Sequence, residues 1–314
     1  MSQESPQMVV ARIRTVGDQH RNFSVVRAGI QHKYGIDDDL VETLLDLGLP
    51  HRRTGGGLLF DQFDLENVSS SLDLDCPERV LLRRWSRSLG GGLQHERGAY
   101  EIRLDWRCPA PGHVGACQFT VGPSAAAMMP GDLSEPLTGS SLVRRAEPLH
   151  QAHDFGSALN EVVAAARRLM FHRIPEAFTQ DLGYVADTGL ADCQLANMYL
   201  RKIAEDVGLT VRPAAGLFVG VPFPARHVWF EVLVSDRWVA ADPFFLHTLT
   251  CWGLIRAEDW PLHHSPRNVL VRLAALPTVD RRFIIHDGQL APVRILARWV
   301  PASTGDELAG EQAR

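Results

Sequence analysis

Three residues in the central part of the chain could together carry out acyl transfer: Cys193, His227 and Asp242. A cysteine that attacks a carbonyl group needs a neighbouring base to accept its proton, and that base needs a third group to orient its ring. Cysteine, histidine and carboxylate follow one another along this sequence. The elements that contain them must therefore bring all three side chains together.

Cys193 lies in the first turn of a predicted amphipathic helix. Apolar residues follow it at helical spacing until Gly208 ends the pattern: Ala196, Leu200, Ile203 and Val207. The N–H groups of a first turn and the positive end of the helix dipole favour a thiolate over a thiol. The same N–H groups can hold an oxyanion. By itself, however, Cys193 is more typical of a small buried cysteine.

His227 and Asp242 are predicted to share one face of a β-hairpin. Residues 226–234 alternate, so that His227, Trp229 and Glu231 face one side and an apolar set faces the other. Ser235-Asp236 is a turn, which makes Trp229 oppose Asp242 and places Asp242 diagonally across from His227. A register slip of one residue would send the carboxylate to the opposite face.

These residues and their neighbours resemble the transglutaminase-like superfamily. The similarity comprises Cys-Gln at 193, an amphipathic helix, the segment Gly208–Arg212, His-x-Trp-x-Glu-Val from His227 and Trp-x-x-x-Asp-Pro around Asp242. It spans residues 188–245, about a fifth of the chain. The resemblance implies a papain-like α+β core with Cys193 as nucleophile, His227 as base and then acid, and Asp242 as the group that orients His227. Asp192 departs from the pattern, since a carboxylate beside the nucleophile disfavours the thiolate.

The predicted fold class is α+β: a helix bearing the cysteine packs on an antiparallel sheet bearing histidine and aspartate, with a mixed α/β extension before this core. The predicted domains are an N-terminal region of residues 1–147, a catalytic domain of residues 148–300 and a flexible tail of residues 301–314. The boundary is placed by the Ser-, Gly- and Pro-rich stretch from Pro123 to Pro148, which is interpreted as a linker.

Several further elements follow from the pattern of the sequence. A helix is predicted from Asp37 to Leu47 and another through Leu159 and Met170, and the glycine triplets at 55–57 and 90–92 predict loops. Strict alternation predicts a strand from Tyr100 to Trp106, with a hairpin partner at residues 117–121. Three further short strands are predicted, each extending a sheet: Val269–Leu273, Phe283–Ile285 and Val293–Leu296.

The loop containing Cys108, His113 and Cys117 offers three metal-ligating side chains. A structural zinc would need a fourth, which Cys76 or His95 could supply only by folding back. Thiols that flank a hairpin explain the spacing equally well, so we predict neither a metal nor another cofactor. The group of His263, His264 and Cys251 lacks any motif spacing.

Side chains at the oxyanion or substrate position are predicted mainly by their proximity to the triad in the sequence. The candidates are Gln180, Tyr184, Gln194, Trp229 and Glu231. For Glu231 the alternative is a solvated position beside the triad.

Composition restricts the partners of the protein. The net charge of -5 and the lack of a basic run with interleaved aromatic residues argue against nucleic acid. No apolar stretch approaches the roughly 20 residues that cross a bilayer, and no leader is apparent. The five cysteines are an odd number, which fits free thiols in a reducing cytoplasm.

The expected activity is amide formation through an acyl-thioester enzyme. Within the superfamily, the chain is similar to the transglutaminase-homologue amide synthetases of antibiotic pathways. That similarity implies an acyl-thioester donor, small or bound to an acyl or peptidyl carrier protein, and an amine acceptor. Two alternatives stay open: a cysteine peptidase or amidase that uses water, and a non-catalytic binding module on the same fold.

Overall fold

The computed structural model describes residues 4–94, 98–128, 137–150, 152–278 and 280–301. Its α-helices are α1 (Pro6–Ile13), α2 (Ile30–Tyr34), α3 (Asp38–Asp46), α4 (Gln62–Ser71), α5 (Pro77–Gln94), α6 (Pro123–Ala126), α7 (Asn160–Ala166), α8 (Leu182–Thr188), α9 (Cys193–Asp206) and α10 (Pro243–Cys251). Its strands are β1 (Phe23–Val26), β2 (Arg52–Thr54), β3 (Gly57–Asp61), β4 (Gly98–Trp106), β5 (Phe119–Val121), β6 (Ser141–Ala146), β7 (Met170–Phe171), β8 (Leu190–Ala191), β9 (Val211–Phe218), β10 (Ala225–Val234), β11 (Arg237–Ala241), β12 (Leu270–Ala274), β13 (Ile284–His286), β14 (Gln289–Leu290) and β15 (Val293–Pro301).

The chain folds into two compact units, each assembled from separate stretches of sequence. The first comprises residues 1–84, 160–203 and 243–262, and the second residues 85–159, 204–242 and 263–314. The mixed α+β class is confirmed. The predicted boundary between residues 147 and 148 stays a prediction. The two compact units divide the chain at other positions. The predicted tail lies outside the described residues from position 302 onward.

The first unit surrounds the short antiparallel sheet β1-β3-β2 with helices. Its apolar core joins α1, α3 and α4 through side chains that are almost completely inaccessible, among them Ile13, Leu44 and Leu65. The helix predicted from Asp37 is confirmed, and the Asp37 side chain caps α3 by accepting the N–H of Leu40 at 2.9 Å. The loop predicted at residues 55–57 is the turn of Gly55 and Gly56 between β2 and β3, and Gly57 begins β3.

The loop predicted at residues 90–92 is wrong, because all three glycines lie inside α5. Each glycine in a helix costs about 1 kcal/mol relative to alanine. Burial of neighbouring side chains offsets that cost. Leu89 is completely buried, and the Trp85 ring packs edge-on against Phe218 with centroids 4.9 Å apart.

The described residues of the second unit form three antiparallel sheets with strand orders β15-β4-β6, β14-β13-β5 and β11-β10-β9-β12. The strand predicted from Tyr100 is confirmed as β4, and its alternate residues are buried as predicted: Tyr100, Ile102, Leu104 and Trp106. Among the described residues, no helix is both long and apolar enough to cross a membrane.

Two predictions about this unit are wrong. Residues 117–121 do not form a hairpin with β4, because β5 pairs with β13 instead. The stretch interpreted as a linker contains α6 and the strand β6, which pairs with β4. The three late strands are confirmed, and each extends a sheet: β12 lies beside β9, β13 beside β5 and β15 beside β4. Local alternation identifies a strand but does not specify its partner.

Candidate functional site

Cys193 is the first residue of α9, which confirms the prediction that it lies in the first turn of a helix. The helix buries one side completely, including Leu195, Ala196 and Leu200. The Cys193 side chain lies at the start of that helix and is half-buried, with its thiol free of a disulfide. Val207, by contrast, is exposed beyond the end of the helix rather than buried in the predicted stripe.

Asp192 caps α9. Its carboxylate Oδ1 accepts the N–H of Leu195 at 2.9 Å, and its carbonyl accepts the N–H of Ala196 at 3.0 Å. Burial raises the pKa of the Asp192 carboxyl above its ordinary value, while the N–H groups of Leu195 and Gln194 act in the opposite direction. Asp192 thus has a structural role, which is to cap the helix of the candidate nucleophile.

The strand before Cys193 is held by a parallel pair that the sequence did not predict. The helix predicted to run through Met170 ends at Ala166, and Met170–Phe171 forms β7 beside β8. The N–H of Met170 donates to the carbonyl of Gly189 at 2.8 Å. Gly189 has φ +69°, so it ends α8 in the left-handed region that favours glycine.

His172 and Asn67 support this pair from inside the first unit. The backbone N–H of His172 donates to the carbonyl of Ala191 at 2.9 Å. The Asn67 side chain lies 3.0 Å from His172 Nε2, and its oxygen accepts the N–H of Arg173 at 2.7 Å. Burial lowers the pKa of His172 to about 3, so the ring is neutral and Nε2 accepts from the amide of Asn67.

The hairpin β10–β11 has the predicted register. Val234 pairs with Arg237 and Phe230 with Ala241, so Asp242 follows directly after the last paired residue of β11. The turn residues Ser235 and Asp236 have φ of 45° and 62°, the left-handed pair that matches the twist of a two-residue hairpin. The register therefore brings the carboxylate to the face of His227.

His227 and Asp242 form a buried hydrogen-bonded pair. His227 Nε2 lies 2.5 Å from Asp242 Oδ2, and the side chains are 3% and 0% exposed. In a neutral ring the proton on Nε2 is donated to the carboxylate, and the lone pair is on Nδ1. The predicted contact between these two residues is confirmed. Cys193 belongs to the first unit, and its meeting with His227 stays a prediction.

Trp229 lies on the same strand two residues after His227. Their rings are close to parallel, with centroids 6.2 Å apart and an angle of 20° between planes. The Trp229 side chain is almost completely buried, and its Nε1 has no acceptor among the described residues. A buried indole N–H without an acceptor is uncommon, since such donors are usually satisfied.

Glu231 is not the solvated residue that the alternative interpretation described. Its carboxylate is 0% exposed and is paired with two arginines. Arg212 donates from Nη2 at 2.6 Å and from Nε at 2.8 Å, and Arg272 donates from Nη1 at 2.8 Å, all to Oε2. The strand pairing of Glu231 with Arg212 makes this ion pair a link between β10 and β9.

The remaining candidates for the oxyanion or substrate position have local partners in the first unit. The Tyr184 hydroxyl lies 3.2 Å from Thr15 Oγ1. Gln194 Nε2 lies 3.4 Å from the carbonyl of Thr179. Gln180 is exposed and lies in the same turn as Thr179. These contacts give Tyr184 and Gln194 structural roles, whereas the site role predicted for them stays a prediction.

Within the described part of the chain, two groups of side chains have the composition of metal ligands. Asp154 lies 3.6 Å from both His263 and His264, and all three are substantially exposed. The second group is Cys108, His113, Cys117 and His286, with ligand atoms within 4.8 Å of one another. The sequence revealed the first three but not His286, because only the pairing of β13 with β5 brings it to the loop.

Comparison of the chain with protein-family models, with curated proteins and with solved structures gives no match. The resemblance to the transglutaminase-like superfamily therefore rests on the motif residues themselves.

Proposed function

We propose that this protein is a cysteine-dependent acyltransferase in which Cys193 is the nucleophile, His227 the general base and acid, and Asp242 the residue that positions His227. The observation that carries the proposal is the buried pair of His227 Nε2 and Asp242 Oδ2. A carboxylate excluded from water and bonded to one imidazole nitrogen favours the tautomer that presents a lone pair on the other. It also stabilises the imidazolium that forms when the ring accepts a proton.

The first half-reaction would form an acyl-enzyme. The Cys193 thiol gives its proton to Nδ1 of His227, and the thiolate attacks the carbonyl carbon of the donor. The tetrahedral intermediate then collapses, the bond to the leaving group breaks, and His227 returns the proton to the departing thiolate or amine. The acyl group remains on Sγ of Cys193 as a thioester.

Two donors are proposed for the oxyanion of that intermediate. Asp192 already engages the N–H of Leu195, so the backbone N–H of Cys193 is the first-turn donor that we assign to the oxyanion. The second is Nε1 of Trp229, which is buried and has no acceptor among the described residues. A donor that finds its acceptor only when the intermediate forms would stabilise that intermediate more than the substrate.

The second half-reaction would make an amide bond. An amine attacks the thioester, His227 accepts a proton from the nitrogen, and the thiolate of Cys193 leaves. We propose an acyl-thioester donor, free or on an acyl or peptidyl carrier protein, and a small amine acceptor. The preference for an amine over water, and a role in antibiotic biosynthesis, follow from the resemblance to the amide synthetases. Free thiols suit an enzyme of the cytoplasm.

The proposal is tested by intact-mass analysis with an N-acetylcysteamine thioester of a short fatty acid as the donor. The wild type should gain the mass of one acyl group, and peptide mapping should place it on Cys193. Cys193→Ala should gain none. Cys251→Ala is the matched control, because Cys251 is an exposed thiol in the same unit whose removal should leave acylation unchanged.

The fate of the adduct distinguishes the candidate activities. Faster discharge by an added amine than by buffer, with the amide as product, supports the synthetase. Discharge at the same rate with and without the amine supports the hydrolase that was the alternative. If Cys193 accepts no acyl group from thioester donors or from glutamine-containing peptides, the binding-module interpretation replaces both.

A further inference from the structure

We propose that Cys108, His113, Cys117 and His286 bind one structural zinc ion. All four residues belong to the second unit, and one ligand atom from each lies within 4.8 Å of the other three. The set of two thiols and two imidazoles is characteristic of structural zinc sites, which use four protein ligands in a tetrahedron. This inference is independent of the proposed acyl transfer.

The distances between the ligand atoms fit a tetrahedral ion. Zinc bonds of about 2.3 Å to sulfur and about 2.05 Å to nitrogen place neighbouring sulfur and nitrogen ligands about 3.5 Å apart. His113 Nε2 lies 3.2 Å from Cys117 Sγ, and His286 Nε2 lies 3.9 Å from Cys108 Sγ. One distance is slightly shorter than the ideal and the other slightly longer, so small side-chain adjustments would complete the geometry.

Both histidines are oriented as zinc ligands usually are. His113 Nδ1 lies 3.2 Å from the carbonyl of Val114, and His286 Nδ1 lies 3.3 Å from the carboxylate of Asp287. An oxygen acceptor at Nδ1 keeps the proton on that nitrogen and leaves the lone pair on Nε2. In each ring Nε2 is the atom that approaches a cysteine. The contact of His113 has hydrogen-bond geometry, whereas the Asp287 carboxylate acts on His286 through its charge. An oxygen partner at the second ring nitrogen accompanies nearly all histidines that bind metals.

Ligand chemistry selects the ion and its role. Two thiolates and two neutral imidazoles favour zinc over magnesium or calcium, which prefer oxygen. Two thiolates also balance the charge of Zn²⁺. Since four protein ligands fill the tetrahedron, the ion would have no open position for substrate, which indicates a structural rather than a catalytic ion.

The site would stabilise a loop that has little apolar burial. Residues 107–118 connect β4 to β5, and they contain Gly112 and Gly115 with φ of 90° and 99°. The Val114 side chain at the tip is fully exposed, and Cys117 is exposed as well. His286 pairs with Phe119 across the sheet, so a metal would fasten the loop to β13. Metal coordination can supply stability that a small apolar core does not.

The upstream residues considered as the fourth ligand are not needed. Cys76 is buried in the first unit, where it accepts a hydrogen bond from Ser69 at 3.2 Å. His95 lies outside the described residues. A disulfide between Cys108 and Cys117 is the competing use of the two thiols, and the experiment must distinguish it.

The first test is the zinc content of the purified, reduced full-length chain, measured by elemental mass spectrometry. The second is titration of the metal-free protein with Zn²⁺. We expect one zinc per chain. X-ray absorption of the wild-type protein should show two sulfur and two nitrogen ligands, a result that needs no variant to fold. Co²⁺ in place of zinc should give the absorption bands of a tetrahedral thiolate site.

Variants separate this site from other thiols. Cys117→Ser should weaken zinc binding by at least about 100-fold, and Asp287→Asn, which removes the negative charge beside His286 Nδ1, by about 10-fold. Cys251→Ser should bind zinc like the wild type, since Cys251 lies in the other unit. The proposal is overturned if the reduced wild type takes up no zinc, if Cys117→Ser binds it unchanged, or if Cys108 and Cys117 are found as a disulfide in the protein as isolated.

Discussion

Replacing Asp242 with asparagine should slow the reaction of Cys193 with an alkylating agent at pH 6. In the wild type Asp242 lies 2.5 Å from His227 Nε2 with both side chains buried, so it stabilises the imidazolium strongly. If His227 is the base for Cys193, that imidazolium is the partner of the thiolate. Asparagine is nearly the same size but carries no charge, and its NH₂ group can reverse the direction of the hydrogen bond.

The size of the effect follows from the pair itself. A hydrogen bond between charged, buried partners contributes about 1.5–3 kcal/mol, which corresponds to roughly 10- to 150-fold in the thiolate population. A cysteine thiol without a neighbouring base is about 0.3% ionised at pH 6. The thiolate fraction of Cys193 therefore cannot fall by more than roughly 300-fold. We therefore expect Asp242→Asn to lower the alkylation rate constant of Cys193 by about 10- to 150-fold, and His227→Gln to lower it at least as much.

The assay is the second-order rate of iodoacetamide labelling at pH 6, followed peptide by peptide. Exposed Cys251 serves as the internal reference in the same sample, and its rate should not change. Circular dichroism establishes that each variant is folded. Equal Cys193 rates in the wild type, Asp242→Asn and His227→Gln would refute the assignment of His227 as the base for this thiol.

Three further predictions concern stability, measured by chemical unfolding. His172 is neutral in the folded protein because its pKa is lowered to about 3, so its contribution to stability is complete above about pH 6.5 and is lost as the pH falls toward 3. Between pH 7 and pH 5 the free energy of unfolding of the wild type should fall by about 2 kcal/mol through this residue. His172→Gln should lack that part of the pH dependence. Glu231→Gln should destabilise by about 2 kcal/mol, less than for a fully buried pair because Arg212 is 27% exposed and hydrated. Asp236→Gly should stabilise by a few tenths of a kcal/mol, since glycine adopts the left-handed φ of 62° at that turn position without strain.

Each of these predictions has a matched comparison. Equal pH slopes in the wild type and His172→Gln would show that the buried histidine does not govern the acid sensitivity. Glu101→Gln removes an exposed partner of Arg298 and should cost less than Glu231→Gln; equal losses would contradict the importance of burial. Asp236→Val should destabilise the protein, and a gain from valine would contradict the turn argument.

The sequence predicted well the local structure around Cys193, His227 and Asp242. Alternation and the two-residue turn were enough to place Asp242 on the face of His227, because a hairpin register is fixed by its turn. Helical spacing was enough to place Cys193 in the first turn of α9. These are short-range properties, which depend on neighbours in sequence.

Long-range pairing could not be predicted in the same way. Nothing local in residues 117–121 indicates that β5 pairs with a strand near the end of the chain, and so His286 could not be recognised as the fourth member of the cysteine and histidine cluster. The burial of Glu231 likewise depends on Arg212 and Arg272 from two other strands. The parallel pair β7–β8 depends on two residues per strand, too short a pattern to detect by periodicity.

The central claim is that Cys193 becomes acylated and passes the acyl group to an amine. Its most direct test is the mass of the intact protein after exposure to an acyl thioester, followed by addition of an amine. We predict a single acyl adduct on Cys193 that is absent from Cys193→Ala, strongly reduced in His227→Gln and discharged faster by the amine than by buffer. A wild-type protein whose Cys193 is no more readily acylated than Cys251, or is acylated equally in His227→Gln, would contradict it.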